Sequence, residues 1–148
     1  MAKTKFEVPP NFMRLNPKGK RKVWVAALRS GAFSQGQNRL TTVVRDEKDH
    51  KQGEENCCLG VACELLVQAG HLKRVPRKRD VNYAPVDDQA TEERREHAGE
   101  DYSTELDDPL LDLFGVTHEQ QADLIQTNDG ASDITGNFPL IADMIEKF

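Results

Sequence analysis

The sequence predicts an α+β fold, a single domain in which four or so helices pack on a small antiparallel sheet. Apolar residues recur with the helical period in several segments, and three short segments that could form strands lie between them, the first of them rich in β-branched residues. A chain of 148 residues with 37% hydrophobic and 30% charged residues suits one domain with a modest core.

The first helix is expected over residues 18–30, after an extended arm over residues 1–16. Asn16 and Pro17 are typical of a helix start, and Gly31 is typical of the position after a helix. On a helical projection the apolar side chains share one arc, which should face the core: Val23, Trp24, Ala27 and Leu28.

Three strands are expected over residues 40–45, 71–75 and 81–84. The first of them is β-branched, and the other two flank a basic turn that would join them as a hairpin. Residues 45–55 are charged and contain a glycine, so we expect a loop there. Residues 86–106 are mostly polar and predict no regular structure.

The last 40 residues predict three helices. A short helix should begin at Asp108-Pro109 and end at Gly115. Thr117 and Gln120 have the spacing of a capping box, which predicts a second helix ending near residue 127. A final helix is expected after an N-cap at Asn137.

All three cysteines lie at the start of one further segment, the cysteine helix, which is expected between Asn56 as N-cap and Gly70. A helical projection places Cys58 toward the core, Cys63 at the margin and Cys57 toward solvent. A cysteine in the first turn lies at the positive end of the helix dipole, so the pKa of Cys57 is expected to be lowered.

Two interpretations of the cysteine helix are open. A papain-like cysteine enzyme is one, because Gln52-Gly53 precedes Cys58 at a reminiscent spacing, with a partner among the scattered histidines His71, His97 and His118. Buried cysteines that pack the helix are the other, and we favour it. The cysteines point in three directions, so we predict neither a zinc site nor another cofactor.

A basic cluster in the predicted hairpin is a candidate phosphate or nucleotide site: Arg74, Arg77, Lys78 and Arg79. Arginine guanidinium groups match the geometry of phosphate, and a turn can present several of them together. The alternative is a solvated turn without a ligand. One nearby aromatic ring, Tyr83, is too few for recognition of single-stranded nucleic acid.

Charge is distributed unevenly along the chain. The net charge is −5, but residues 1–80 carry 17 Lys and Arg against 8 Asp and Glu, whereas residues 81–148 carry 3 against 17. The halves could neutralise each other or bind separate partners. Candidate partner-binding residues lie in the acidic stretch and in the turn before the final helix: Glu96, Glu100, Asp101, Asn128 and Asp129. An acidic inhibitor that mimics DNA is a further alternative, and direct nucleic-acid binding is not expected.

Three segments resemble a group of small, mostly uncharacterised proteins of tailed phages. They are the segment from Trp24 to Gly31, the segment from Cys57 to Val61, and Asn128-Asp129 followed by Phe138 and Ile141-Ala142-Asp143. The resemblance implies an accessory protein that works in the cytoplasm of an infected bacterium. No catalytic residues follow from it.

The expected function is therefore non-enzymatic: a phage accessory protein that binds a host component, such as a defence or transcription protein, and inhibits or redirects it. An odd cysteine count fits a reducing cytoplasm. No apolar segment approaches the roughly 18 residues of a membrane span, so no membrane association is expected.

Overall fold

A computed structural model describes residues 5–86, 102–129 and 138–148. Within those ranges the chain forms five α-helices and a four-stranded antiparallel sheet. The helices are α1 (Pro17–Arg29), α2 (Cys58–Gln68), α3 (Asp108–Phe114), α4 (His118–Asp129) and α5 (Phe138–Glu146). The strands are β1 (Thr41–Arg45), β2 (Lys51–Asn56), β3 (Leu72–Pro76) and β4 (Asp80–Pro85). The predicted α+β class is confirmed.

The sheet has the strand order β2-β1-β4-β3, so β2 and β3 are its edges. The predicted β3–β4 hairpin is present, with Arg74 opposite Tyr83. The prediction of a loop over residues 45–55 was wrong for residues 51–55, which belong to β2 and pair with β1, whereas residues 46–50 form the turn between the two strands. Strand β2 has no β-branched or aromatic residue and is held through its backbone, which explains why its composition did not predict it.

The two hairpins meet only over a short distance. Strands β1 and β4 pair at Thr41 and Thr42. Beyond that point Tyr102 takes the place of β1 beside β4, exchanging backbone hydrogen bonds with Tyr83 at 2.7 and 2.9 Å. The end of the predicted polar segment therefore joins the sheet, while its residues 87–101 lie outside the described residues.

Helix α1 confirms its predicted start and end. The Asn16 side chain accepts a hydrogen bond from the Gly19 backbone N–H at 2.7 Å, and Gly31 adopts a positive φ of 78° after the helix. The arm before α1 differs from the extended expectation, because Phe12–Arg14 form a 3-10 helix. Phe12 is buried against Phe114, with ring centroids 6.3 Å apart.

The C-terminal helices also begin much as predicted. In α4, the Thr117 hydroxyl accepts from the Gln120 N–H, and the Gln120 side chain accepts from the Thr117 N–H. Helix α3 ends at Gly115, which has a φ of 62°. The predicted cap of α5, Asn137, lies outside the described residues.

Helix α2 lies at the centre of the fold. It contacts β2 and β3 of the sheet, and also α1 and α4 among the helices. Helix α1 contacts α3 and α5 on its other sides. Searched over the described ranges, the chain has no helix long and apolar enough to cross a membrane.

Candidate functional site

The chain passes from β2 into α2 without a loop, and Cys57 is the N-cap of the helix. Its Sγ accepts a hydrogen bond from the Gly60 backbone N–H at 3.4 Å. The prediction of Asn56 as N-cap was wrong, because Asn56 is the last residue of β2. The Asn56 side chain instead donates to the Thr41 hydroxyl at 2.6 Å, inside the sheet.

All three cysteines are buried and reduced. Cys58 and Cys63 have no exposed surface and Cys57 is only 6% exposed, so the prediction that Cys57 points to solvent was wrong. The projection assumed that α2 has one apolar face. In the fold almost every side of the helix is covered, as a mostly apolar helix allows.

Burial also decides the ionisation of the thiols. It raises the pKa of Cys57 to about 11, although backbone N–H groups at the helix start act in the opposite direction. Burial raises the pKa of Cys58 and of Cys63 well above the ordinary thiol value. The predicted lowering of the Cys57 pKa was therefore wrong, because desolvation outweighs the helix start.

The three segments of the phage-protein resemblance meet at Cys58. The Trp24 indole donates to the Cys58 carbonyl oxygen at 2.9 Å, and the Cys58 N–H donates to the Asn128 side chain at 3.2 Å. The Cys58 thiol lies 3.9 Å from the Leu124 carbonyl oxygen. Each segment thus has an internal role in joining α1, α2 and α4.

Asn128 and Asp129 hold the loop that precedes β1. The Asn128 side chain is 1% exposed, accepts from the Gln35 side chain at 3.0 Å and donates to the Gly36 carbonyl oxygen at 2.8 Å. The Asp129 carboxylate accepts from the Asn38 N–H at 3.1 Å. Asn128 therefore offers no surface to a partner. Of the other predicted partner-binding residues, Glu96, Glu100 and Asp101 lie outside the described residues.

Neither of the described histidines among the proposed partners lies at this helix start. His71 follows the opposite end of α2, and His118 is the first residue of α4 and pairs with Asp108. His97 is outside the described ranges. Nor do the described residues contain a cluster of His, Cys, Asp and Glu that could hold a metal ion. The chemistry available at the start of α2 is hydrogen bonding and packing.

A network of polar side chains lies between α2 and the sheet. Tyr83 on β4 hydrogen-bonds the Thr41 hydroxyl at 2.5 Å and donates to the Glu64 carboxylate at 2.6 Å. Arg74 on β3 donates to both Glu54 oxygens at 2.5 Å and to Glu64 at 3.2 Å. We call this set the sheet network: Glu54, Arg74, Glu64, Tyr83, Thr41 and Asn56.

Burial sets the ionisation of the two carboxylates differently. Burial raises the pKa of Glu64, despite the hydrogen bond from Tyr83. At Glu54 burial acts upward too, but hydrogen bonds from Arg74 and Lys51 outweigh it and the pKa is lowered. Arg74 is thus bound to two carboxylates and is not directed toward an external phosphate, which removes it from the predicted phosphate site.

The remaining members of that predicted site lie in the β3–β4 turn beside the β1–β2 turn. The Lys78 ammonium group pairs with Asp49 at 3.0 Å, and the Arg45 guanidinium donates to the Lys78 carbonyl oxygen at 2.8 Å. The Lys78 hydrogen bond lowers the pKa of Asp49. Arg77, Lys78 and Arg79 are exposed, but the neighbouring acidic turn neutralises part of their charge.

One large surface depression is the β2 cleft, with a volume of about 720 Å³. It runs along the edge strand β2, with residues 32–34 on one side and the sheet network at its base. A Cβ atom placed on Gly53 would meet nothing within 4 Å, so the cleft is open there.

Another depression is the α1–α5 groove, with a volume of about 690 Å³. Its lining combines cationic and apolar side chains from the outer side of α1 with the last residues of the chain: Lys18, Arg21, Lys22, Val25, Ala26, Arg29, Ile145, Glu146 and Phe148. Of the three segments that carry the phage-protein resemblance, only the one from Trp24 to Gly31 lines this groove, through Val25, Ala26 and Arg29.

A protein-family model matches residues 15–148, nearly the whole chain. The chain belongs to this family, described as a domain of unknown function (DUF8296). No curated protein and no solved structure is significantly similar to the chain. The family match covers α1 to α5 and therefore includes both depressions.

Sequence reasoning missed the sheet network and with it the β2 cleft. On the helical projection Glu64 falls beside Cys57, on the side expected to face solvent, yet its side chain is 16% exposed and faces Tyr83 and Arg74. One signal was available: a lone acidic residue within the apolar run of α2 requires a partner if the helix is buried. The identity of that partner depends on strand pairing, which the composition of β2 conceals.

Proposed function

We propose that this protein is a phage accessory protein that acts in the cytoplasm of an infected bacterium by binding a host protein and inhibiting or redirecting it. The β2 cleft is the single observation that carries the binding part of the proposal. A depression of about 720 Å³ lies along an exposed edge of the sheet, where an extended segment of another protein can pair.

The backbone of β2 is oriented for such pairing. The Asn56 N–H and carbonyl oxygen point away from β1, because they bond to Ser34 and Gly36 at 2.7 and 2.8 Å. Backbone groups alternate in direction along a strand, so those of Glu54 point the same way. Within the described residues no backbone group pairs with the Glu54 N–H or carbonyl oxygen on that side.

The chain itself already uses one end of this edge. Gln35 forms a parallel bridge with Asn56, so a short extended segment lies beside the last residue of β2. A partner segment would continue that pairing toward Lys51. The cleft lining combines the apolar side chains of Ala32, Phe33 and Val44 with polar and charged ones near the edge, such as Lys51 and Glu55. It therefore favours a partner segment that carries both apolar and charged side chains.

The buried cysteines support binding rather than catalysis. A nucleophilic cysteine must be a thiolate that reaches its substrate. Cys57 is nearly inaccessible and its pKa is raised to about 11 by burial, so both conditions fail in the folded protein. The acidic DNA-mimic alternative depends mainly on residues 92–101, which lie outside the described ranges.

A pull-down from host lysate with a matched pair of variants tests this proposal. Gly53→Trp places a large side chain in open space at the cleft and should abolish capture of the partner while leaving the fold intact. Glu47→Trp adds the same side chain at the exposed β1–β2 turn and should retain capture. Circular dichroism and thermal melts establish that both variants fold.

Loss of the partner from both variants, or from neither, would place the interface elsewhere. Turnover of a metabolite by the purified protein would contradict the non-enzymatic proposal, and its loss in a folded triple variant, Cys57→Ser, Cys58→Ser and Cys63→Ser, would assign the reaction to the cysteines.

A further inference from the structure

We infer that the α1–α5 groove is a binding site for a small organic phosphate that has a planar apolar body, as a nucleoside monophosphate has. The site is separate from the β2 cleft, and the inference does not depend on the proposed function. It rests on the charge at one end of the groove, the apolar wall beside it and its size.

Three cations from the first half of α1 line one end of the groove: Lys18, Arg21 and Lys22. Positions three and four apart lie on the same side of a helix, so the three groups converge. Lys18 and Lys22 are exposed, and neither forms an ion pair or side-chain hydrogen bond within the described residues. Their charges are available to a ligand.

Arg21 is held in place by the protein backbone. One guanidinium nitrogen donates to the Phe114 carbonyl oxygen at 2.8 Å, and the other lies 3.5 Å from the Phe148 carbonyl oxygen. A guanidinium group has five N–H donors, so these contacts fix its plane and leave donors for an oxyanion. Such a preoriented group loses little conformational freedom when a ligand binds.

At the other end of the groove Arg29 pairs with Glu146 and with Asp143, each at 2.6 Å. One guanidinium group balances only one of the two carboxylates, so that end keeps a negative charge, whereas Lys18, Arg21 and Lys22 place positive charge at the first end. This asymmetry favours an anionic group at the end near Lys18.

Between the two ends the groove has an apolar wall, in which Ala26 and Phe148 are accessible, while Val25 and Ile145 are buried, at 5% and 0% exposure. A fully solvated ion such as inorganic phosphate would gain nothing from this wall, whereas a planar apolar body would be removed from water against it. The volume of about 690 Å³ lies within the range of small-molecule sites, roughly 300–1,000 Å³.

Isothermal titration calorimetry with adenosine monophosphate at low salt tests the inference on the full chain. The nucleotide should bind, inorganic phosphate and adenosine should each bind more weakly, and added salt should weaken binding by screening. Loss of one charge-assisted hydrogen bond in Lys22→Gln should raise Kd about tenfold. Ala26→Trp should also weaken binding, because it fills the groove from an exposed helical position.

Lys48→Gln is the matched control. Lys48 is an exposed lysine in the β1–β2 turn, so its substitution should leave Kd unchanged. An unchanged Kd in Lys22→Gln would overturn the inference. It would also be overturned if the nucleotide failed to bind at millimolar concentration, or if inorganic phosphate bound as tightly as the nucleotide. Binding that is lost in Arg79→Gln but kept in Lys22→Gln would return the phosphate to the β3–β4 turn.

Discussion

The start of α2 and the outer surface of the molecule differ in what their residues do. At the start of α2 the recognisable sequence segments converge, and every polar group named there is bonded within the chain: the Trp24 indole, the Cys58 backbone and the Asn128 amide. The β2 cleft and the α1–α5 groove are lined largely by residues outside any motif, and they leave charges and backbone groups available.

This difference shows that a recurring pattern need not mark an active site. Gln52-Gly53 precedes Cys58 at a spacing reminiscent of papain-like enzymes, but in space Cys57 and Cys58 form the junction at which a helix begins directly after a strand. Residues at such a junction are restricted by close packing. We therefore expect substitutions at the start of α2 to change stability, and substitutions in the two depressions to change binding.

Gly60→Ala should give the largest effect at the start of α2. A Cβ atom on Gly60 would lie 1.8 Å from the Leu40 carbonyl oxygen, a backbone atom that cannot move aside cheaply. The usual gain of about 1 kcal/mol for alanine in a helix would be outweighed, and the variant should lose about 3 kcal/mol or more. Urea unfolding followed by circular dichroism measures this loss.

Gly53→Ala is the control for that substitution. Gly53 also lies close to the junction, in β2, but a Cβ there meets nothing within 4 Å. Its free energy of unfolding should stay within about 0.5 kcal/mol of the parent protein. Equal losses in both variants would show that the close approach of α2 to Leu40 does not restrict position 60.

Asn128→Ala should give the next largest effect. The substitution removes the acceptor of the Cys58 N–H and the donor to the Gly36 carbonyl oxygen, and both backbone groups are buried. Unsatisfied buried groups cost about 1–3 kcal/mol each, so a loss of about 2–4 kcal/mol is expected in urea unfolding.

Gln126→Ala on the same helix is the control, because Gln126 is exposed and its loss should change the free energy of unfolding by less than about 0.5 kcal/mol. If Asn128→Ala proved equally silent but abolished partner capture, Asn128 would belong to an interface, as the sequence first indicated. The two variants therefore separate a structural role from a binding role.

Local signals predicted most of the fold. The capping pairs at Asn16 and Thr117 and the glycines at 31 and 115 gave the ends of helices close to where they lie. Strand β2 could not be predicted in this way, since Lys51–Asn56 pairs through its backbone, and nothing in its side chains indicates a strand. With β2 the sheet has four strands, whereas the sequence predicted three.

The sites were less predictable than the fold. The basic residues of the β3–β4 hairpin were expected to act together, but Arg74 lies within β3, whereas Arg77, Lys78 and Arg79 lie in the turn beyond its end. Arg74 bonds to Glu54 and Glu64 between α2 and the sheet, while Lys78 pairs with Asp49 across two turns. Which acids neutralise which bases depends on contacts between residues 10 to 29 positions apart.

Cys57→Ser should give the smallest effect of the three at neutral pH. A serine hydroxyl can accept the Gly60 N–H hydrogen bond as the thiol does, and serine is a favoured N-cap, so we expect a change within about 0.5 kcal/mol at pH 7. At alkaline pH the variant should differ from the parent protein. Burial raises the folded-state pKa of Cys57 from the ordinary thiol value of 9.0 to about 11.

The unfolded chain therefore releases the Cys57 proton first. The stability that this thiol contributes is fully present below pH 9, and it is lost as the pH rises from 9 through 11. Urea unfolding at pH 7 and pH 10 should show that Cys57→Ser loses less stability at alkaline pH than the parent protein does. The variant should still lose some, because Cys58 and Cys63 remain. Iodoacetamide at pH 8 should label Cys57 only as fast as the protein unfolds. Rapid labelling of the folded protein, together with equal alkaline losses in parent and variant, would mean that the start of α2 is open to solvent.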